Sequence, residues 1–363
     1  MTLSASTTLR PRSAVERMSE YHPPLAGRDG LRLDFNENTL APSPRVAAAL
    51  QRISAEGLTK YPEREPSERI AAAHFGLAAN AVLLTNGVDE ALHLVCETYL
   101  EPEDEVIVVT PTFSMYALYA EATGAKVRSI QSDATLQFPA ARVLEAIRPN
   151  TRLIMIASPN NPTGAIVGND VLLEIAAKTP QAALLVDEAY YHFHGESVLS
   201  ATATVTNLFV ARTFSKAYGL AGLRIGLLAG HPDAMKFVRK VSSPYNVNSV
   251  ALECLPEALA DEAYIDWYAE QVRESREELA SALEQLHVPY WPSHANFILM
   301  KIGAAYAAVV EGMRRRGILI RDRSKDPGCD GCVRITVGPR EHTQRGIAAL
   351  QEILKELQWQ PEK

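Results

Sequence analysis

A lysine that is to act as a nucleophile needs a loop that leaves its amine accessible. The stretch Arg212-Thr213-Phe214-Ser215-Lys216-Ala217-Tyr218-Gly219-Leu220-Ala221-Gly222-Leu223-Arg224-Ile225-Gly226 has that form. Lys216 sits in a Gly/Ala-rich loop after an apolar run, with a hydroxyl beside it at Ser215 and an arginine, Arg224, further along. This set suits a Schiff base formed next to a bound phosphate. The rival reading is the phosphate-binding loop G-x-x-x-x-G-K-[ST]. It fails because no such string occurs, and here the hydroxyl residue precedes the lysine.

Further chemistry-bearing residues follow other apolar runs. Ala183 to Val186 ends in Asp187-Glu188-Ala189-Tyr190. A carboxylate at the mouth of an apolar strand loses hydration unless a cation pairs with it, and a protonated pyridine nitrogen would be such a cation. A helix N-cap also explains Asp187. In Ser158-Pro159-Asn160-Asn161-Pro162-Thr163-Gly164 the prolines and the glycine fix an irregular backbone and leave Asn161 free to donate a hydrogen bond. Asn86-Gly87-Val88-Asp89-Glu90 opens a helix whose first N–H groups can bind an anion. An ordinary cap by Asn86 and Asp89 is the simpler reading of those five residues alone. Phe113, in Pro111-Thr112-Phe113, either stacks on a flat ligand or joins the core.

These residues need a scaffold, and the texture of the chain predicts one. Strands are expected at Val82 to Thr85, Glu105 to Thr110, Ala125 to Ile130, Arg152 to Ala157, Ala182 to Asp187, Asn207 to Arg212 and Arg224 to Ala229, with helical patterns between most of them. That alternation predicts an α/β fold with a seven-stranded, mainly parallel sheet covered by helices on both faces. In open parallel sheets ligands lie outside the carboxyl ends of the strands, where the residues singled out above fall. Ser43-Pro44 reads as a helix start, and Gly76 and Gly124 as helix stops.

After about residue 245 the pattern changes. A long helix (about Asp261 to Leu286), a strand at Asn296 to Lys301, a helix, a strand at Val333 to Val337 and a final helix predict a smaller α+β domain. The expected division is an N-terminal arm (1–30), a large domain (31–245) and a small one (246–363).

Bulk properties agree with a folded enzyme. The 363 residues exceed what one core usually organises, and 47% hydrophobic with 22% charged residues is ordinary for globular chains. A net charge of −7 with mixed signs offers no basic face for nucleic acid, and no run is long and apolar enough to span a membrane. The N-terminus lacks the apolar core of a signal peptide, so a cytoplasmic location is expected. Cys329 and Cys332 form a C-x-x-C without the second pair a zinc site would need, and read as part of a turn. No G-x-G-x-x-G follows a strand, which counts against a nucleotide-binding oxidoreductase.

The ordered series NENT, YPE, GVDE, PTF, SPNNPTG, VDEAY, RTFSKAYGLAGLRIG and VRITVG resembles the histidinol-phosphate aminotransferase family, a branch of the fold-type I pyridoxal-5′-phosphate (PLP) enzymes, over nearly the whole chain. The resemblance implies that Lys216 carries the cofactor, Asp187 pairs with its pyridine nitrogen, Asn161 and Tyr190 contact its 3′-oxygen, and Phe113 lies against its ring. Ser215, Thr213, Arg224 and the N–H groups at Val88 and Asp89 would hold its phosphate. Tyr61 would reach the phosphate in a second subunit of a homodimer. Substrate would be bound by Arg334, Arg321, Tyr21 and Asn36. The implied reaction moves an amino group between histidinol phosphate and 2-oxoglutarate, with small-molecule donor and 2-oxo acid acceptor and no nucleic-acid or membrane partner. Relatives sharing these residues act on aromatic amino acids or decarboxylate phosphothreonine. A non-catalytic PLP-binding module is the remaining alternative. The segment Asn36-Glu37-Asn38-Thr39-Leu40-Ala41 departs from the family's NENP-Y-G.

Overall fold

The computed structural model describes residues 9–20, 22, 27 and 29–361. Its strands, in chain order, are β1 (Leu31–Leu33), β2 (Val82–Thr85), β3 (Glu105–Thr110), β4 (Lys126–Gln131), β5 (Thr151–Ala157) and β6 (Ala183–Asp187). There follow β7 (Leu208–Thr213), β8 (Gly226–Gly230), β9 (Tyr290–Trp291), β10 (Phe297–Lys301), β11 (Ile318–Asp322) and β12 (Cys332–Thr336). The larger sheet has the order β2-β8-β7-β6-β5-β3-β4. All its pairs are parallel except those of β8, which runs antiparallel to both β2 and β7.

The buried strands are apolar on both faces because helices cover both. Leu84, Ile154, Val186, Val210 and Leu227 point into one core, whereas Leu83, Met155, Leu185, Phe209 and Leu228 point into the other. The edge strand β4 instead exposes Lys126, Arg128, Ser129 and Gln131 and buries only Ile130, as suits an exposed edge. All seven strands expected in this sheet are present with ends within two residues. The largest shift is in β8, which begins at Gly226 because Arg224 takes a left-handed conformation (φ 52°) that breaks the strand.

Local signals act as anticipated in the flanking helices. The Ser43 hydroxyl accepts a bond from the Arg45 N–H at 3.1 Å. Gly124 ends the Met115–Thr123 helix at φ 96°.

The second sheet has the order β1-β11-β12-β10-β9. β1 joins it by parallel pairing with β11, and the other pairs are antiparallel. Residues 31–33, expected in the large domain, are therefore built into this smaller sheet. β11 was not foreseen. A five-residue strand following Gly317 carries too little alternation to announce itself. One core cluster runs through both units, from Val186 in β6 to Leu33 in β1, Ile318 in β11 and Val333 in β12, so the two sheets meet through packed apolar side chains. Among the described residues no helix is long and apolar enough to cross a membrane.

Candidate active site

A cavity of about 510 Å³ lies at the carboxyl ends of β5, β6 and β7 and is closed on its far side by β11 and β12. It gathers every residue singled out for cofactor or substrate except two. Tyr61 is outside it, 79% exposed on the surface and stacked on Tyr245 at 4.4 Å. Tyr21 lies outside the described residues.

Lys216 follows β7 and its Nζ donates to the Phe35 carbonyl at 2.9 Å, so the amine is held at the junction with the smaller sheet. Thr213 Oγ1 accepts from the Ser215 N–H at 3.1 Å, which tightens the turn leading into the lysine.

Asp187 ends β6 and is buried. The Tyr116 hydroxyl donates to its Oδ2 at 2.7 Å, and the Ala189 N–H donates to Oδ1 at 2.9 Å. Burial pushes the carboxyl up to about 6 in spite of both bonds, each of which favours the charged form. Such a group is poised for a cation. Its neighbour Glu188 points the other way, as strand alternation dictates, and forms a buried ion pair with Arg212 at 2.8 Å. The Ser197 hydroxyl and the Val198 N–H also donate to Glu188, so the ends of β6 and β7 are fixed to each other behind the cavity.

The Gly87–Tyr99 helix begins at the cavity, and Asn86 makes no side-chain cap, contrary to the simpler reading of that segment. Its first N–H groups are approached closely by β8. A Cβ on Gly226 would lie 2.8 Å from the Val88 nitrogen, and one on Gly87 would lie 2.6 Å from Arg224 Nη2. Asp89, the other expected cap, pairs with Arg224 at 3.0 Å. Two non-glycine residues at the cavity, Arg224 (φ 52°) and Asn36 (φ 55°), hold left-handed backbone conformations. Local strain of this kind concentrates where side chains must be aimed. The first N–H groups of that helix, a guanidinium and the hydroxyls of Thr213 and Ser215, all lining the cavity, fit a phosphate monoester.

Phe113 lines the cavity with its ring edge-on to Tyr116 at 5.7 Å. The two adjacent asparagines divide their work. Asn160 is consumed in structure, donating to the Pro111 carbonyl at 2.9 Å and accepting from Thr112 at 2.6 Å. Asn161 accepts from Arg334 through Oδ1, which leaves its NH₂ as the available donor. Tyr190 accepts from Asn36 Nδ2 at 2.9 Å. Arg334 is buried, donates to the Asp34 carbonyl at 2.7 Å, and keeps a buried Nε without a hydrogen-bond partner among the described residues. Arg321 lies 5.1 Å from the Phe35 ring and likewise has a buried, unpartnered Nη1.

Three contributors escaped the sequence. Tyr116 is three residues beyond Phe113 on the next helix, and nothing local ties it to Asp187. The Phe35 carbonyl is backbone. Arg323 lies one strand alternation beyond Arg321 and lines the same cavity, a repeat that was visible in Arg321-Asp322-Arg323. Cys329, in the turn before β12, and Cys332, the first residue of β12, are buried, unbridged thiols packed with Leu136 and Leu299 away from the cavity.

The family model for aminotransferase class I and II matches residues 28–350. The chain belongs to that family. This aminotransferase is 34% identical to the histidinol-phosphate aminotransferase of Moorella thermoacetica over 96% of its own length and 92% of the relative's. It is 36% identical to that of Roseiflexus castenholzii over 98% of its length and all of the relative's. The histidinol-phosphate aminotransferase of Sinorhizobium meliloti, solved in complex with pyridoxal-5′-phosphate, superimposes with a TM-score of 0.86 at 23% identity over 98% of this chain and 100% of that one. At that identity the likeness speaks for the fold.

Proposed function

We propose that this aminotransferase uses PLP to move an amino group between histidinol phosphate and 2-oxoglutarate. The observation that carries the proposal is one cavity in which the Lys216 amine, a buried carboxylate awaiting a cation and a group of arginines with unpartnered donors face the same space. The residues fit the cofactor. A pyridinium would satisfy Asp187, while Arg224, Ser215, Thr213 and the start of the Gly87–Tyr99 helix would receive its phosphate. When bound, PLP supplies an electron sink for charge developing at the carbon that bears the amino group. Lys216 would hold the cofactor through its amine, and that amine, when free, would serve as the base for the proton on that carbon, a role worth roughly 10²–10⁴ in rate. Asp187 would keep the pyridine nitrogen protonated, Asn161 and Tyr190 would donate to the ring's 3′-oxygen, and Phe113 would pack against the ring.

Arg334 would bind the substrate's carboxylate, Arg321 and Tyr21 would add donors for a phosphate, and Asn36 would line the same substrate site. The two relatives compared, at 34 and 36% identity over nearly full length, support histidinol phosphate as that substrate. The site is completed in a homodimer, with Tyr61 reaching the cofactor phosphate of a second copy. Its exposed ring, stacked on the half-exposed Tyr245, supports that role. The test is a screen of amino donors with 2-oxoglutarate as acceptor, for wild type and Lys216→Ala. Turnover of histidinol phosphate by wild type and none by Lys216→Ala is expected. Substantial turnover by Lys216→Ala would refute the assignment of the lysine, and a wild type preferring phenylalanine would move the substrate to the aromatic amino acids.

A further inference from the structure

Arg321 and Arg334 are directly opposite each other in the antiparallel β11–β12 ladder. Arg323 continues β11 by one more bond, its N–H donating to the Cys332 carbonyl at 3.0 Å. In extended backbone residues two apart share a face, so Arg323 stands beside Arg321 on the face that closes the cavity, and all three arginines line it. Like charges paired across a ladder are destabilising. Here three guanidinium groups crowd one face, and each keeps a buried nitrogen without a hydrogen-bond partner among the described residues: Arg321 Nη1, Arg323 Nε and Arg334 Nε.

One acidic side chain is set into the group. Asp326 pairs with Arg323 through Oδ2. Burial raises its carboxyl, while Arg323, Arg334 and Arg321 all pull it down. The arginine face keeps three guanidinium groups with buried donors against the carboxylate of Asp326, while Asp34 and Glu37 line the same cavity and Glu37 pairs with Arg32. A carboxylate offers two acceptor oxygens to those donors. A phosphate monoester, whose second ionisation falls near pH 6, carries close to two negative charges at neutral pH and three acceptor oxygens.

We propose that Arg323 is a third arginine of the substrate's anion subsite, held in place by Asp326, and that it makes this end of the cavity select phosphate monoesters over monocarboxylates. The proposal rests on histidinol phosphate being a substrate, and assigns the selection to a residue beyond Arg321 and Arg334.

The experiment measures kcat/KM of the holoenzyme for histidinol phosphate and for phenylalanine in wild type, Arg323→Gln and Arg323→Lys, together with inhibition of phenylalanine transamination by inorganic phosphate. A hydrogen bond to a charged group changes affinity roughly 10- to 100-fold, so the ratio of the two kcat/KM values should move by that factor toward phenylalanine in Arg323→Gln. Arg323→Lys, which keeps the charge and loses the fork, should fall between. Inhibition by phosphate should weaken in parallel. Equal losses on both substrates, or an unchanged ratio and unchanged phosphate inhibition, would overturn the proposal. If Arg323→Gln does not fold, Arg323→Lys decides by the same ratio. Wild type that ignores histidinol phosphate but loses phosphate inhibition on Arg323→Gln would remove the substrate and keep the subsite. Wild type that uses histidinol phosphate with a ratio insensitive to Arg323 would remove the subsite and keep the substrate.

Discussion

Asp187 should destabilise the cofactor-free protein at neutral pH, and Asp187→Asn should reveal by how much. Its carboxyl is raised from 3.8 to about 6, chiefly by burial. About two pH units correspond to roughly 3 kcal/mol between the two protonation states. Because the folded value lies above the unfolded one, folding favours the protonated form. The associated stability is present below about pH 3.8, fades as pH climbs, and is fully lost above about 6. Asparagine mimics the neutral form. The Tyr116 hydroxyl, which donates to Asp187, can rotate to accept from the new amide, so the substitution leaves no orphaned group there. With an unfolding entropy of about 2.1 cal/mol/K per residue, 3 kcal/mol over 363 residues is roughly a 4 °C rise in Tm. The assay is thermal unfolding of cofactor-free wild type and Asp187→Asn at pH 8, 6 and 4. The variant should melt about 4 °C higher at pH 8, and the gap should close toward pH 4. Adding PLP should raise the wild type more than the variant, since only the carboxylate gains a pyridinium partner. Equal melting at pH 8, or a gap that does not change with pH, would refute the account of Asp187 as a buried carboxylate kept for a cation.

Gly226→Ala should weaken PLP binding at least tenfold by equilibrium titration, because its Cβ would lie 2.8 Å from the Val88 nitrogen and push the helix start away from β8; unchanged affinity would mean that those N–H groups do not hold the phosphate. Arg321→Ala should lower kcat/KM for histidinol phosphate roughly 10- to 100-fold and for phenylalanine less, and equal losses would make it a general structural residue. Mixing inactive Lys216→Ala with an inactive Tyr61 variant should restore activity in heterodimers. Absence of recovery after verified subunit exchange would exclude a site shared across the interface.

The order of elements and the chemistry at strand ends were legible because they are local. Near-continuous apolar runs such as Leu208 to Ala211 can be buried only under helices on both faces, and the polar residue that ends each run must stand at the sheet's carboxyl edge. Lys216, Asp187 and Asn161 were found that way, each within a few residues of its own strand. What the sequence left open depends on contacts between distant segments. Asp187 alone is compatible with a helix cap. Only burial by distant segments raises its carboxyl to about 6, against the opposing hydrogen bond from Tyr116, 71 residues away. Asn86 has the right type for a cap, yet it makes none, and β8 brings Gly226 against that helix start. β1 carries three residues with too little pattern to place, and its pairing with β11, nearly three hundred positions on, sets it in the smaller sheet. The three arginines gain their meaning from the same cause. A guanidinium on a surface is solvated and ordinary, whereas three on one face of a ladder, brought against a cavity by folding, retain buried donors that an anion can satisfy.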